Sequence, residues 1–215
     1  ELADYIAMNV LLDYDKMETL LAERLEDMTY IRLFDVLSLN QYYTTDSHWR
    51  QETLENVTAA LAEAMGLAGN PFPKGYTVGT VYPFRGVYAG QAALPMASET
   101  LRYLITDETK TARVYHGETG EQAPVYDLSK ADSLDPYELF LSGGSPFVRM
   151  DNPLNSSGRE LVIFRDSYAS ALAPVLLGGY SRITLIDIRY MTPAFIPSLM
   201  ELKGQDVLIL YSTTL

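Results

Sequence analysis

Apolar residues recur at three- and four-residue steps over 9–28 (NVLLDYDKMETLLAERLEDM), at Leu11, Tyr14, Met17, Leu21, Leu25 and Met28. That spacing predicts an amphipathic helix with a charged outer face. The next run, TYIRLFDV (29–36), is rich in β-formers and is expected to be extended. WRQETLENVTAALAEAMG then places Leu54, Val57, Leu61 and Met65 on one stripe, which predicts a second helix with Gly66 as its stop.

Between about 70 and 130 the pattern changes. NPFPKGYTVGTVYPFRGVYAG alternates polar and apolar positions between Gly and Pro breaks, and TARVYHGETGEQAPVYDL reads as two short strands around a glycine turn. ASETLRYLI is expected to supply a helical piece, and SKADSLDPYELFLSGGSPF is loop-rich. The last third is plainer. ELVIF, SRITLIDI and DVLILY are continuous apolar strands, separated by helical stretches in DSYASALAPVLLGGY and MTPAFIPSLMELK. The order β-α-β-α-β predicts a parallel sheet covered on both faces. No repeat or linker interrupts the chain. The expected object is one α/β domain over 1–215, its mostly parallel sheet sandwiched by helices, with an antiparallel β insertion at 70–130.

Composition narrows the function classes. Apolar residues make up 47% of the 215, enough to bury a core, so disorder is not expected. The net charge of −12 repels phosphate backbones, and nucleic acid is set aside as a partner. There is no cysteine, which removes disulfides, thiolate zinc sites and a cysteine nucleophile. No apolar run reaches the roughly 18–20 residues that span a bilayer. The chain starts at Glu1, which is compatible with removal of an upstream signal or anchor. Sixteen tyrosines suit carbohydrate or protein contacts, or half-buried packing.

In open parallel sheets, functional groups collect at the carboxyl ends of the strands. Here those ends are Arg165-Asp166-Ser167-Tyr168, Asp187-Ile188-Arg189-Tyr190 and Tyr211-Ser212. A strand running into Ser167, with a helix starting at once, exposes a hydroxyl beneath helix N–H groups. The alternative is that Asp166 or Ser167 simply caps the helix. Far upstream, YYTTDSHW (42–49) holds the only tryptophan and one of two histidines. Asp46-x-His48 on a turn can set the carboxylate on one ring nitrogen and leave the other for a serine, with Trp49 as a wall. The alternative is a capped helix start with His48 exposed and Trp49 in the core. His116 is expected at an exposed hairpin tip. A metal around Asp46, His48 and Asp166 or Asp187 has few nitrogen ligands and no HExxH spacing behind it. Gly143-Gly144 is either a plain loop or an oxyanion donor, and GGYSR lacks the Lys-Ser/Thr of a phosphate loop.

YYTTDSHW followed by FRDSYASALAPVLLGGYSRITLIDIRY resembles the bacterial DHHW family, and more broadly the SGNH-hydrolase-like proteins that include alginate O-acetylation enzymes. The resemblance covers roughly 30–66 and 135–215. It implies an SGNH-hydrolase-like fold with permuted motif order. It also implies Ser167 as nucleophile, His48 as base and Asp46 as the residue that orients it. The chain departs from the pattern in two places: Ser47 stands where the family has its second histidine, and the hydrolases' Gly-Asp-Ser block reads Arg165-Asp166-Ser167. Their oxyanion asparagine has no certain counterpart; Ser145 lies nearest, with the backbone of Gly144 and Ser167 as other donors. Tyr43, Trp49, Tyr168, Arg189 and Tyr190 are the expected substrate-lining residues, unless Arg189 only pairs with Asp187. The implied function is an extracytoplasmic serine esterase or O-acetyltransferase acting on acetyl esters of a cell-surface polysaccharide. It would need no cofactor, and a membrane-bound acyl donor is a possible partner. The competing readings are a non-catalytic glycan-binding or assembly module and a metal-dependent hydrolase.

Overall fold

A computed structural model of the chain, described over residues 13–92 and 95–213, divides into two compact units, Glu1–Arg32 and Leu33–Leu215. In the first, the helix expected over 9–28 is α1, Tyr14–Arg24; residues 9–12 lie outside the described residues. Asp13 caps it by accepting the Lys16 N–H at 2.9 Å, one of the donors a helix start leaves without a partner. Glu18 accepts the Tyr30 hydroxyl at 3.1 Å and pairs with Arg32. TYIRLFDV is not a strand: no ladder forms along it, and it ends in a turn over 34–36.

The second unit runs α2 (Glu55–Ala64), β1 (Thr77–Phe84), α3 (Val87–Ala92), β2 (Glu99–Ile105), α4 (Asp107–Thr111), β3 (Arg113–His116), β4 (Gln122–Ala123), β5 (Phe147–Asp151), β6 (Glu160–Arg165), α5 (Tyr168–Leu176), β7 (Arg182–Ile186), α6 (Ile196–Leu199) and β8 (Asp206–Leu210). Gly66 follows α2 at φ +64°, the left-handed backbone that ends helices and that glycine adopts without strain.

The main sheet has six strands in the order β4-β3-β5-β7-β6-β8. Only β7-β6 and β6-β8 pair in parallel; the pairs among β4, β3, β5 and β7 are antiparallel. The expectation of a mostly parallel sheet is thus corrected to a mixed one. The cause is β5, a strand absent from the pattern reading, with Phe147, Val148 and Met150 buried, which joins the β3-β4 hairpin to the parallel core. ASETLRYLI is also corrected: it is β2, pairing antiparallel with β1 in a separate two-stranded sheet. The alternating burial of Leu101 and Tyr103 is a strand's, not a helix's.

The parallel core is as the pattern predicts, save that one strand is not covered on both faces. Val207 and Ile209 of β8 are 52% and 53% exposed, because α6 is a four-residue helix and too short to lie over them. By contrast α5 is buried from Ala169 through Leu176. β6 lies between β7 and β8: the chain leaves β6 for β7 on one side, then returns across β6 to β8 on the other, so the winding direction reverses here. That is a switch point, where a crevice opens at the strand's carboxyl end.

Candidate active site

The loop carrying YYTTDSHW is closed by two backbone bonds, Tyr43 N–H to His48 O (3.3 Å) and Arg50 N–H to Gln41 O (2.7 Å). Glu99, at the head of β2, holds it from the side. It accepts the N–H groups of Thr44 (3.0 Å) and Thr45 (2.7 Å) and the Thr45 hydroxyl (2.8 Å), and pairs with Arg50 at 2.7 Å. Burial pushes the Glu99 carboxyl up, but these donors outweigh it and hold it below the ordinary value.

So fixed, the loop turns Asp46 inward, 1% exposed. Its Oδ1 accepts the backbone N–H of His48 (2.9 Å) and faces Nδ1 of the ring (2.5 Å); its Oδ2 accepts the Val87 N–H (2.9 Å). Burial raises the Asp46 carboxyl, while the bonds from His48 and Val87 together bring it below the usual carboxylate value. The approach needs Gly86, where an added Cβ would lie 2.1 Å from Asp46 Cβ. Nε2 of His48 lies 2.7 Å from Ser167 Oγ, across 119 residues of chain. A carboxylate only accepts, so the ring proton belongs on Nδ1 and the Nε2 lone pair faces the serine hydroxyl.

Ser167 stands at the junction of β6 and α5, and its hydroxyl makes no capping bond. Asp166 does the capping instead, accepting the Tyr168 N–H at 3.0 Å, and ties in the end of β8 through the Ser212 N–H at 2.7 Å. Arg165, where the hydrolases' motif has glycine, is 1% exposed. It donates to Ser145 O (3.2 Å), Ser170 Oγ (3.1 Å) and Asp166 O (3.4 Å). Burial lowers its pKa, opposed by the nearby charges of Asp187 and Asp166.

The remaining expected residues divide. Tyr168 reaches the site: its hydroxyl donates to Ser47 O at 2.6 Å, and its ring centroid is 5.3 Å from that of His48. Burial pushes its phenol up to about 12. Trp49 is buried edge-on against Tyr168, with no hydrogen-bond partner for its indole nitrogen. Tyr190 is 64% exposed, and one of its ring carbons lies 4.0 Å from where a Gly144 Cβ would stand. Arg189 does pair with Asp187, through two bonds of 2.9 and 2.6 Å. Three expectations are corrected. The Ser145 hydroxyl donates to Phe147 O at 3.2 Å, so its one proton is not offered to an oxyanion. Tyr43 is a core residue, 4% exposed and edge-on to Phe84. His116 is not at a hairpin tip either: it ends β3, with its Nε2 buried and without a partner, and burial lowers its pKa. Among the described residues no three His, Asp or Glu side chains gather so as to hold a metal ion.

Three contributors escape sequence reasoning. Tyr137 stacks on His48, ring centroids 4.0 Å apart and planes 12° from parallel. Glu99 and the Gly86-Val87 pair support Asp46 from other elements. All three come from segments with no motif, and only a non-local contact brings them in. Two cavities of about 370 and 230 Å³ lie around Asn152 at the opposite ends of the strands, and neither is lined by Asp46, His48 or Ser167.

An imidazole held between a buried carboxylate and a serine hydroxyl, at the carboxyl end of a parallel strand, is the geometry that serine hydrolases and acyltransferases use. No protein-family model matches the sequence, and no curated protein matches it. Among solved structures the chain is similar to a DHHW family protein from Eubacterium siraeum, with 23% identity over 79% of this chain and 58% of that one, at a TM-score of 0.63. It is also similar to Bacillus cereus PatB1. A structure of PatB1 with a sulfonyl adduct gives 17% identity over 91% of this chain and 71% of that one, TM-score 0.64. A second PatB1 structure gives 13% identity over 91% and 73%, TM-score 0.66. At these identities the likeness is one of fold.

Proposed function

We propose that the protein is a serine esterase or O-acetyltransferase acting, outside the cytoplasm, on acetyl esters of a cell-surface polysaccharide. The observation that carries this reading is the line Asp46–His48–Ser167, with contacts of 2.5 and 2.7 Å. In the reaction, Ser167 Oγ passes its proton to His48 Nε2 and bonds to the acetyl carbonyl carbon. The carbonyl becomes an oxyanion, with the backbone N–H groups of Ser167 and Gly144 as its proposed donors. The carbon–oxygen bond to the leaving alcohol then breaks, and His48 returns the proton to that oxygen. Water or a sugar hydroxyl, giving its proton to His48, then attacks the acetyl-serine carbon; the bond to Ser167 Oγ breaks, His48 returns the proton to Oγ, and acetate or the acetylated sugar leaves. Asp46 keeps the ring in one tautomer and stabilises its cationic form throughout.

The fold shared with a protein that carries a sulfonyl adduct supports the reading, since sulfonyl electrophiles seek reactive nucleophiles. A partly exposed Ser167 and the exposed Tyr190, each following the carboxyl end of a parallel strand, suit a long substrate that lies across the strand ends. Transfer, as opposed to hydrolysis, would require an acetyl donor, for which a membrane-bound partner is the proposal. The test is acetate release from p-nitrophenyl acetate and from acetylated oligosaccharides by the wild type, Ser167→Ala and His48→Ala. Turnover that both substitutions abolish supports the reading. An inactive wild type that still binds the oligosaccharide would leave the glycan-binding module in its place.

A further inference from the structure

We propose that Tyr137 is a positioning residue for His48, its ring face fixing the imidazole plane and favouring the imidazolium formed when Ser167 gives up its proton; this rests on the acyl-transfer reading above. The two hydrogen bonds of His48 run along one direction, from Asp46 at Nδ1 to Ser167 at Nε2. They fix where the ring points within its plane, but not its tilt about the line joining the two nitrogens. A face contact supplies that restraint, and Tyr137 provides one at 4.0 Å and 12°. An aromatic face also attracts a cation, so the contact strengthens as the ring becomes charged. That is the differential interaction that lowers a barrier.

The platform is rigid for stated reasons. Tyr137 is 4% exposed, and its ring packs among Tyr43, Phe84, Leu139, Phe140 and Ala171. It sits on the turn Pro136–Leu139, whose start Asp135 caps by accepting the Tyr137 N–H at 3.1 Å. The chain then passes through Leu141 and Ser142, both at φ 57°, a left-handed conformation that non-glycine residues adopt only when their surroundings impose it. Here Leu141 is fully buried with its N–H on Val125 O (3.0 Å), and the Ser142 hydroxyl donates to Asp127 at 3.0 Å. The charges and phenols around the pair are Asp46, Asp135, Tyr43 and Tyr168.

The Tyr137 hydroxyl is buried with no hydrogen-bond partner, so the ring and not the oxygen is the working part. The test compares p-nitrophenyl acetate kinetics and melting temperatures for the wild type, Tyr137→Phe and Tyr137→Leu. The expected result is that Leu lowers kcat by about tenfold, or about 1.4 kcal/mol, with KM little changed, while Phe restores kcat. Should the Leu variant fail to fold, Tyr137→Met removes the π face with a flexible side chain that fills an irregular gap better. The proposal is overturned by a folded Leu or Met variant with wild-type kcat, by a change confined to KM, or by a Phe variant as slow as Leu. A wild type with no turnover and no sulfonylation of Ser167 instead overturns the acyl-transfer reading, and this inference with it.

Discussion

Asp46→Asn changes one atom and leaves the shape of the site alone, yet three donors converge on the two Asp46 oxygens. Oδ1 receives the His48 backbone N–H and faces Nδ1, and Oδ2 receives the Val87 N–H. An amide can satisfy only one side. If its oxygen faces His48, its NH₂ opposes the Val87 N–H, and the start of α3 must shift. If its NH₂ faces His48, the ring keeps its lone pair on Nδ1 and carries its proton on Nε2, pointing a donor at Ser167. The serine then has no base. A bond to a charged acceptor contributes about 1.5–3 kcal/mol, and a buried N–H left unpaired costs about 1–3. A stability loss of about 2–3 kcal/mol is therefore expected. The kinetic loss is larger: the wrong tautomer lowers kcat by about 10⁴ in serine triads, equivalent to about 5.4 kcal/mol of barrier. The assay is p-nitrophenol release under saturating substrate, with urea unfolding of the same preparations. A variant within about tenfold of wild-type kcat would refute the reasoning, because the tautomer would then not matter.

Three further perturbations read other parts of the same construction. Gly86→Ala puts a methyl 2.3 Å from Asp46 Oδ2, so the overpacking cost of about 1–3 kcal/mol should appear in the melt together with a loss of esterase activity. Arg165→Met strands the acceptors Ser145 O, Ser170 Oγ and Asp166 O and leaves Asp187 without a buried cation nearby; a loss of about 3 kcal/mol is expected by urea unfolding. On pH, Asp46 and Glu99 both have carboxyls lowered in the folded state. Their contribution is therefore present above the unfolded carboxylate values near about 4, and is lost as pH falls through the lower folded values. Unfolding free energies measured from pH 6 down to acid should fall, and Glu99→Gln should flatten part of that slope.

Much of the fold was legible because it is local. The strands β6, β7 and β8 are continuous apolar runs, and α5 and α2 carry their helical spacing and, for α2, a glycine stop. The misreadings are all matters of partnership. Leu101 and Tyr103 alternate as a strand does, but LRYLI also permits a helix until β1 supplies a ladder. β5 is a five-residue strand whose antiparallel neighbours, β3 and β7, lie 34 residues before and 35 after it in starting position. TYIRLFDV has strand-forming residues and no strand to pair with. At the site, Asp46, His48 and Ser167 were readable because each needs a special residue at a special turn. Tyr137 was not, since a tyrosine in a loop looks the same whether it packs under an imidazole or only fills a core. Ser145 fails for a different reason: a serine's place in the chain does not say where its hydroxyl points, and here it turns to the Phe147 carbonyl.

On the proposed function, His48 and Asp46 make Ser167 a nucleophile. The direct measurement is covalent labelling with phenylmethanesulfonyl fluoride, followed by intact mass and peptide mapping, on the wild type, Ser167→Ala and His48→Ala. One sulfonyl group on Ser167 in the wild type, absent from Ser167→Ala and greatly slowed in His48→Ala, is the expected result. A wild type left unlabelled, or labelled on another residue at a rate indifferent to His48, would contradict it.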